Sequence, residues 1–216
     1  MGRVTLPPGL YAITDPELVP EAVLGQAVAA VVAGGARVVQ YRDKTADADT
    51  RRRRAGLVLA ACRAGGALCI INDDPVLAAA LGADGVHLGR DDDDIESARQ
   101  LLGPERLIGL SCYNEPARAH AAAAAGADYV GVGSVWPSDT KPGAVRAPLT
   151  LLGELAATLP VPVVAIGGIN RDNAAATIAA GAHAVAVIRD LFADPDPRSA
   201  AQVLSAACER GRAQIK

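Results

Sequence analysis

Apolar and polar positions along the chain fall into blocks that repeat. A short run rich in Val and Ile, a polar or Gly-rich joint and an Ala/Leu-rich segment of helical spacing recur every ~20 to 25 residues. Eight such units can be counted. Strands are predicted at 9–14, 37–41, 67–71, 85–88, 107–110, 129–132, 161–166 and 184–188. Helices are predicted to follow them at about 20–33, 47–64, 75–81, 94–102, 115–125, 148–158, 171–180 and 196–212. Pro75 after Asp74 and Pro116 after Glu115 mark helix starts. The joints Gly82-Ala83-Asp84, Gly126-Ala127-Asp128 and Gly181-Ala182-His183 place Gly where a helix must end before a strand.

Strands that read as near-continuous apolar runs and alternate with helices imply a parallel sheet covered by helices. Eight units within 216 residues predict an α/β fold, a single compact (β/α)₈ TIM barrel forming one domain over 1–216. A doubly wound open sheet is the alternative, disfavoured because no GxGxxG follows the first strand. With aromatics at 3% of the chain, the core must be filled by Ala, Val, Leu and Ile. A formal charge of −3 gives no general attraction to nucleic acid or to an anionic membrane, so an anionic ligand needs a local cluster of cations. The opening MGRVTLPPGL lacks the apolar run of a signal peptide and no long apolar stretch follows, so a cytoplasmic chain is expected. Cys62, Cys69, Cys112 and Cys208 show no metal-type spacing and read as packing residues. Whether copies of the chain assemble as a homo-oligomer is left open.

In such a barrel the active site is built at the carboxyl ends of the strands. After the second strand, alternation puts Gln40 and Arg42 on one side, and an extended continuation adds Lys44. An Arg fork beside a Lys point charge suits a phosphate or diphosphate, the alternative being a solvated loop. After the third strand, Asp74 before Pro75 reads as a helix cap, which leaves Asn72 and Asp73 as candidates beside a magnesium ion. After the fourth, four aspartates at 91–94 read mostly as the acidic first turn of a helix, with one of them open as a second carboxylate ligand. His87 is either a proton carrier or, more commonly for a histidine inside a strand, a packed and hydrogen-bonded residue.

The longest non-helical stretch, 133–148, carries Ser138, Thr140 and Lys141, hydroxyls and a cation suited to a phosphate clamp. Gly167 and Gly168 after the seventh strand offer backbone amides ahead of a helix. Ile188 and Arg189 after the eighth open onto the last one. These two loops are where barrels of this class commonly hold phosphate. The run Arg51 to Arg54 is read as mostly solvated, because residues advancing ~100° each cannot share a face.

Taken together, these residues resemble the thiamine-phosphate synthase family over almost the whole chain, from Leu10-Tyr11-Ala12-Ile13-Thr14-Asp15 to Ala186-Val187-Ile188. The family's Gln-x-Arg-x-Lys matches Gln40, Arg42 and Lys44, and its Asn-Asp pair matches Asn72 and Asp73. Its second metal carboxylate matches Asp92, its Gly-x-Ser matches Gly109 to Ser111, and its hydroxyl-bearing Lys loop matches Pro137 to Lys141. Its Ala-Ile-Gly-Gly-Ile matches Ala165 to Ile169. Arg90, Tyr113, Ser138 and Arg189-Asp190 depart from the usual family residues.

The resemblance implies a transferase that joins 4-amino-2-methyl-5-hydroxymethylpyrimidine diphosphate to 4-methyl-5-(2-hydroxyethyl)thiazole phosphate, releasing pyrophosphate. It implies Mg²⁺ held by Asp73 and Asp92, with Arg42 and Lys141 stabilising the departing charge in a dissociative C–O cleavage. Substrate contacts implied are Gln40, Arg42, Lys44, Asn72, Ser111, Ser138, Thr140, Lys141, Gly167, Gly168, Ile188 and Arg189. The partners are then phosphorylated small molecules. A tautomerase-like barrel acting on a thiazole phosphate, or a non-catalytic phosphate sensor, are the competing readings.

Overall fold

The computed structural model describes residues 4–90, 94–137 and 145–215. Eight parallel strands close on themselves in sequence order, each neighbour pairing with the next and the eighth with the first. In chain order the first half reads β1 (Gly9–Ile13), α1 (Glu21–Ala33), β2 (Val38–Tyr41), α2 (Ala48–Gly65), β3 (Leu68–Asn72), α3 (Pro75–Leu81), β4 (Gly85–Leu88) and α4 (Ile95–Leu102). The second half reads β5 (Leu107–Tyr113), α5 (Pro116–Ala124), β6 (Tyr129–Gly133), α6 (Leu149–Thr158), β7 (Val163–Ile166), α7 (Ala174–Ala179), β8 (Ala184–Val187), α8 (Arg189–Phe192) and α9 (Pro197–Arg212). The predicted (β/α)₈ barrel is therefore the observed architecture.

Helix starts follow from side chains that satisfy exposed N–H groups of the first turn. Asp47 accepts from the Thr50 N–H at 2.8 Å, Asp74 from Leu77 at 2.8 Å, Asp94 from Ser97 at 2.7 Å and Asp196 from Ser199 at 3.1 Å. The Gly-Ala-Asp joints have a second use at the amino end of the barrel. Asp84 Oδ2 accepts the Cys69 N–H and Asp128 Oδ2 the Ile108 N–H, each at 2.8 Å, so the residue that leaves one helix also satisfies the adjacent strand. Arg99 holds Asp128 from α4 at 2.5 Å.

Strand alternation divides the core in two. One set, including Val39, Ile71, Val86, Ile108, Val130 and Val185, packs against the helices. The other, Tyr11, Ile13, Val38, Ile70, Leu107, Tyr129, Val164, Ala184 and Ala186, fills the barrel, with Leu6 closing its amino end. All four cysteines are buried and unpaired, as the packing reading requires. In the arginine run Arg52 and Arg53 are exposed as read, whereas Arg51 and Arg54 are half-buried. Arg53 and Arg54 both bind Glu21, and Arg54 also binds the buried carboxylate of Asp43 at 2.6 Å. The physical reason is that α1 and the loop after β2 present acids to this turn of α2.

Candidate functional site

The inward register of each strand delivers polar side chains to the carboxyl end. On β2, Val38 faces the interior, so Gln40 does too, and it is buried at 3% exposure. Its Nε2 donates to the Tyr11 hydroxyl at 2.9 Å. The strand ends at Tyr41 rather than continuing to Lys44, because Asp43 turns the chain by accepting the N–H groups of Thr45 and Ala46. Burial alone would raise the Asp43 pKa, but those amides and Arg54 bring it below its ordinary value. Arg42 is anchored by its N–H to Thr14 Oγ1 at 3.0 Å, and its guanidinium makes no ion pair among the described residues. Lys44 nevertheless reaches the mouth, where its Nζ lies 2.7 Å from Asp73 Oδ2. Lys44 thus arrives by a turn rather than along an extended path, and its Nζ compensates the charge of Asp73.

Asn72 ends β3 opposite His87 in the register with β4, and Asp73 follows it with φ 61°. Asp74 is the cap of α3, as expected. Ser111 lies inside β5 rather than in a loop after it, because that strand runs on to Tyr113 with an irregular register between Ser111 and Tyr113. Arg118 ties the ends of β4 and β5 together by donating to the carbonyls of Ser111 and Gly89. Two departures from the family pattern are neighbours: the Arg90 guanidinium lies 4.8 Å from the centroid of the Tyr113 ring and pairs with Glu115.

Below this mouth lies a polar file that sequence reading missed. Tyr11 and Tyr129 read there as strand apolars, yet their hydroxyls meet at 3.0 Å inside the barrel. Tyr129 reaches His87 Nδ1 at 3.1 Å, and His87 Nε2 reaches Ser111 Oγ at 2.9 Å. Space for these rings comes from small residues: a Cβ on Gly109 would sit 2.1 Å from Tyr129 Cζ, and one on Gly131 would sit 3.2 Å from His87 Cε1. Burial pushes the His87 pKa down to about 4, against the opposing charge of Asp73, so the imidazole is neutral at pH 7. Burial also pushes both phenols above their ordinary range. The packed and hydrogen-bonded reading of His87 is the one observed. Counted by twos from Ser111, Gly109 faces the same way on β5, and that inward glycine is the signal the sequence offers.

Across the mouth, Ser134 to Trp136 lie over the turn after β7. The Val135 and Trp136 N–H groups donate to the Ile166 and Gly167 carbonyls, and Trp136 Nε1 donates to Thr177 Oγ1 at 3.0 Å. Gly167 and Gly168 take φ 98° and 64°, and a Cβ on Gly168 would sit 2.1 Å from the Pro137 carbonyl oxygen. Only glycine meets both demands. Helix α7 begins at Ala174, not directly behind the glycines, so the expectation of a helix at 171–180 is shortened. The intervening turn is held by Asn170 and Asn173.

The expectation that Ile188 and Arg189 open onto the last helix is corrected. Ile188 caps the separate four-residue α8, Arg189 starts it exposed, and the last helix begins at Pro197. Asp190 is held by Arg171, which also binds Asp194, and this closes off the turn. Asp92, Ser138, Thr140 and Lys141 lie outside the described residues. Among the described residues the structure pairs Lys44 with Asp73 beside Asn72 at the mouth, while Gln40 and Ser111 belong to the interior file below it. Among the described residues no group of three or more His, Cys, Asp or Glu side chains could by itself enclose a metal. No helix there is long and apolar enough to cross a membrane.

A family model described as thiamine monophosphate synthase matches residues 10–191. A thiamine-phosphate synthase of Thioalkalivibrio sulfidiphilus is 52% identical over 201 residues, covering 93% of this chain and 95% of the relative. One of Chromobacterium violaceum is 53% identical over 197 residues, covering 91% and 94%. The solved thiamine phosphate pyrophosphorylase of Pyrococcus furiosus superposes with a TM-score of 0.86 at 35% identity, covering 94% of this chain and 96% of that one.

Proposed function

Matched over residues 10–191, the chain belongs to the thiamine monophosphate synthase family, and we propose that its barrel mouth joins the pyrimidine diphosphate to the thiazole phosphate in the cytoplasm, with release of pyrophosphate. The observation that carries the reading is the Lys44–Asp73 pair at 2.7 Å, set beside Asn72 at the ends of two adjacent strands. A carboxylate held next to a cation at an open mouth favours a ligand that brings both a metal ion and anionic oxygens. The donor set fits Mg²⁺, which takes few carboxylates and fills its remaining positions with water and phosphate oxygens. Asp73 would hold it, with Asp92, which follows β4 in the sequence, as the second carboxylate. When bound, the ion supplies charge neutralisation for a departing diphosphate.

The chain's own residues then supply position and electrostatics. Arg42 offers a planar fork and Lys44 a point charge for the diphosphate oxygens. Lys141, which follows β6 in the sequence, stabilises the same developing charge, with Ser138 and Thr140 offering hydroxyls. No side chain is required as nucleophile, because the electron-rich aminopyrimidine stabilises the cation left by C–O cleavage and the thiazole nitrogen attacks it. The Gly167 and Gly168 amides, held open by their positive φ, suit the thiazole phosphate on the opposite side of the mouth. Ile188 forms part of the interior wall nearby, and Arg189 adds an exposed cation at that rim.

A coupled pyrophosphate-release assay with both substrates and Mg²⁺ tests the reading. Stoichiometric release that requires both substrates is expected. Ligand binding without release would leave a sensor, and turnover of the thiazole phosphate alone would leave a tautomerase.

A further inference from the structure

The polar file inside the barrel links five strands in the order β2, β1, β6, β4, β5: Gln40 Nε2 to Tyr11 at 2.9 Å, Tyr11 to Tyr129 at 3.0 Å, Tyr129 to His87 Nδ1 at 3.1 Å, and His87 Nε2 to Ser111 Oγ at 2.9 Å. Proton counting gives the file a direction. An amide nitrogen only donates, so Tyr11 accepts from Gln40. Among the described residues the Tyr11 proton has one acceptor, the Tyr129 oxygen, and the Tyr129 proton then has one, His87 Nδ1. A phenol is a good donor and a poor acceptor, whereas a bare imidazole nitrogen is a good acceptor, so this junction favours the same sense. His87 must carry its proton on Nε2 and donate it to Ser111 Oγ. The Ser111 hydroxyl proton is left facing the partly open mouth.

We propose that Gln40, Tyr11, Tyr129 and His87 act as a unidirectional hydrogen-bond file that presents Ser111 as a hydroxyl donor to an acceptor atom of the phosphorylated substrate. The inference rests on the substrate reading above for its last contact only. Tyr11, Tyr129 and His87 are positioning residues that act through Ser111. If the file ran the other way, Ser111 would donate to His87 and could only accept from the substrate.

The imidazole tautomer can be read without substrate, by long-range ¹H–¹⁵N correlation on the intact protein. The chain has 3 histidines, and His87→Gln assigns the signal. An Nε2–H tautomer is expected, with Tyr129→Phe shifting it toward a mixture; an Nδ1–H tautomer in the wild-type protein overturns the proposal. A kinetic cycle tests the consequence. Ser111→Ala and Tyr129→Phe should each lower kcat/KM by about tenfold, the worth of one oriented hydrogen bond, and the double variant should be no worse than Ser111→Ala. Additive losses, or unchanged kinetics in Ser111→Ala, overturn the positioning role. A wild-type protein that released no pyrophosphate while showing the Nε2–H tautomer would instead sink the catalytic reading and leave the direction of the file standing.

Discussion

Gly109→Ala tests whether the barrel interior is built around Tyr129. The added Cβ would lie 2.1 Å from Tyr129 Cζ and 2.5 Å from both Cε atoms, where carbon atoms settle at ~3.5 to 4.0 Å. The ring has little room to retreat, because Tyr11 and His87 lie at centroid distances of 6.2 and 5.5 Å. Overpacking costs about 1–3 kcal/mol. A ring that moves also loses its hydrogen bonds to Tyr11 and His87, each worth about 1 kcal/mol. The expected loss is therefore about 3–5 kcal/mol, or a fall in Tm of roughly 6 to 20 °C for a chain of this size. Tyr129→Leu alone should also destabilise by opening a cavity, yet Gly109→Ala combined with Tyr129→Leu should lose less than the sum, since the methyl enters the vacated space. Urea unfolding at constant m-value measures all three variants. A Gly109→Ala midpoint equal to wild type, or strictly additive losses in the pair, would refute the packing argument.

Arg42→Ala should lower kcat/KM by about two to three decades through lost charge stabilisation at the leaving group, read by steady-state pyrophosphate release. Asp73→Ala should abolish Mg²⁺-dependent turnover with an unchanged circular dichroism spectrum; an unaltered Mg²⁺ saturation curve would remove this carboxylate from the metal site. For acid stability, hydrogen bonds from Arg53 and Arg54 hold the Glu21 pKa at about 2, below its ordinary 4.5. A depressed pKa stabilises above the unfolded value and is lost on acidification, so Tm should fall between about pH 4.5 and pH 2. Glu21→Gln should flatten that part of the Tm profile, and identical profiles would show that the pair contributes nothing.

The fold was legible because a parallel barrel imposes two strong periodicities at once. Each buried strand must be an apolar run and each helix must show a stripe, so Val-rich and Ala-rich blocks alternate visibly. The strand at 85–88 and the helix at 75–81 agree with β4 and α3 residue for residue. Boundaries slipped where a local hydrogen bond decides the end of an element. The predicted end of β2 at Tyr41 holds, but Asp43 captures two amides and turns the path beyond it, and the Asn170–Asn173 turn delays α7 until Ala174. Neither event alters the apolar pattern, so neither is visible in it. The four-residue α8 is shorter than any periodicity can register, which is why the pattern alone places Arg189 at the start of the last helix.

The candidate site was legible where charge is placed just beyond a strand. Lys44, Asn72 and Asp73 stand out because a buried sheet has no other reason to end in such residues. The interior file was hidden for the opposite reason. Tyr11 and Tyr129 occupy positions that any bulky apolar residue could fill, and only the convergence of several strands shows that their hydroxyls meet. Gly109 and Gly131 look like weak points in otherwise Val-rich and Leu-rich strands. Their missing side chains are volume set aside for Tyr129 and His87. In a barrel this small, a polar group can enter the interior only if a facing strand gives up a side chain and every donor finds an acceptor. An inward glycine opposite an inward Tyr or His is therefore a sequence-level sign of a buried polar network. The position where that network runs out of internal acceptors, Ser111, is where a ligand contact is to be sought.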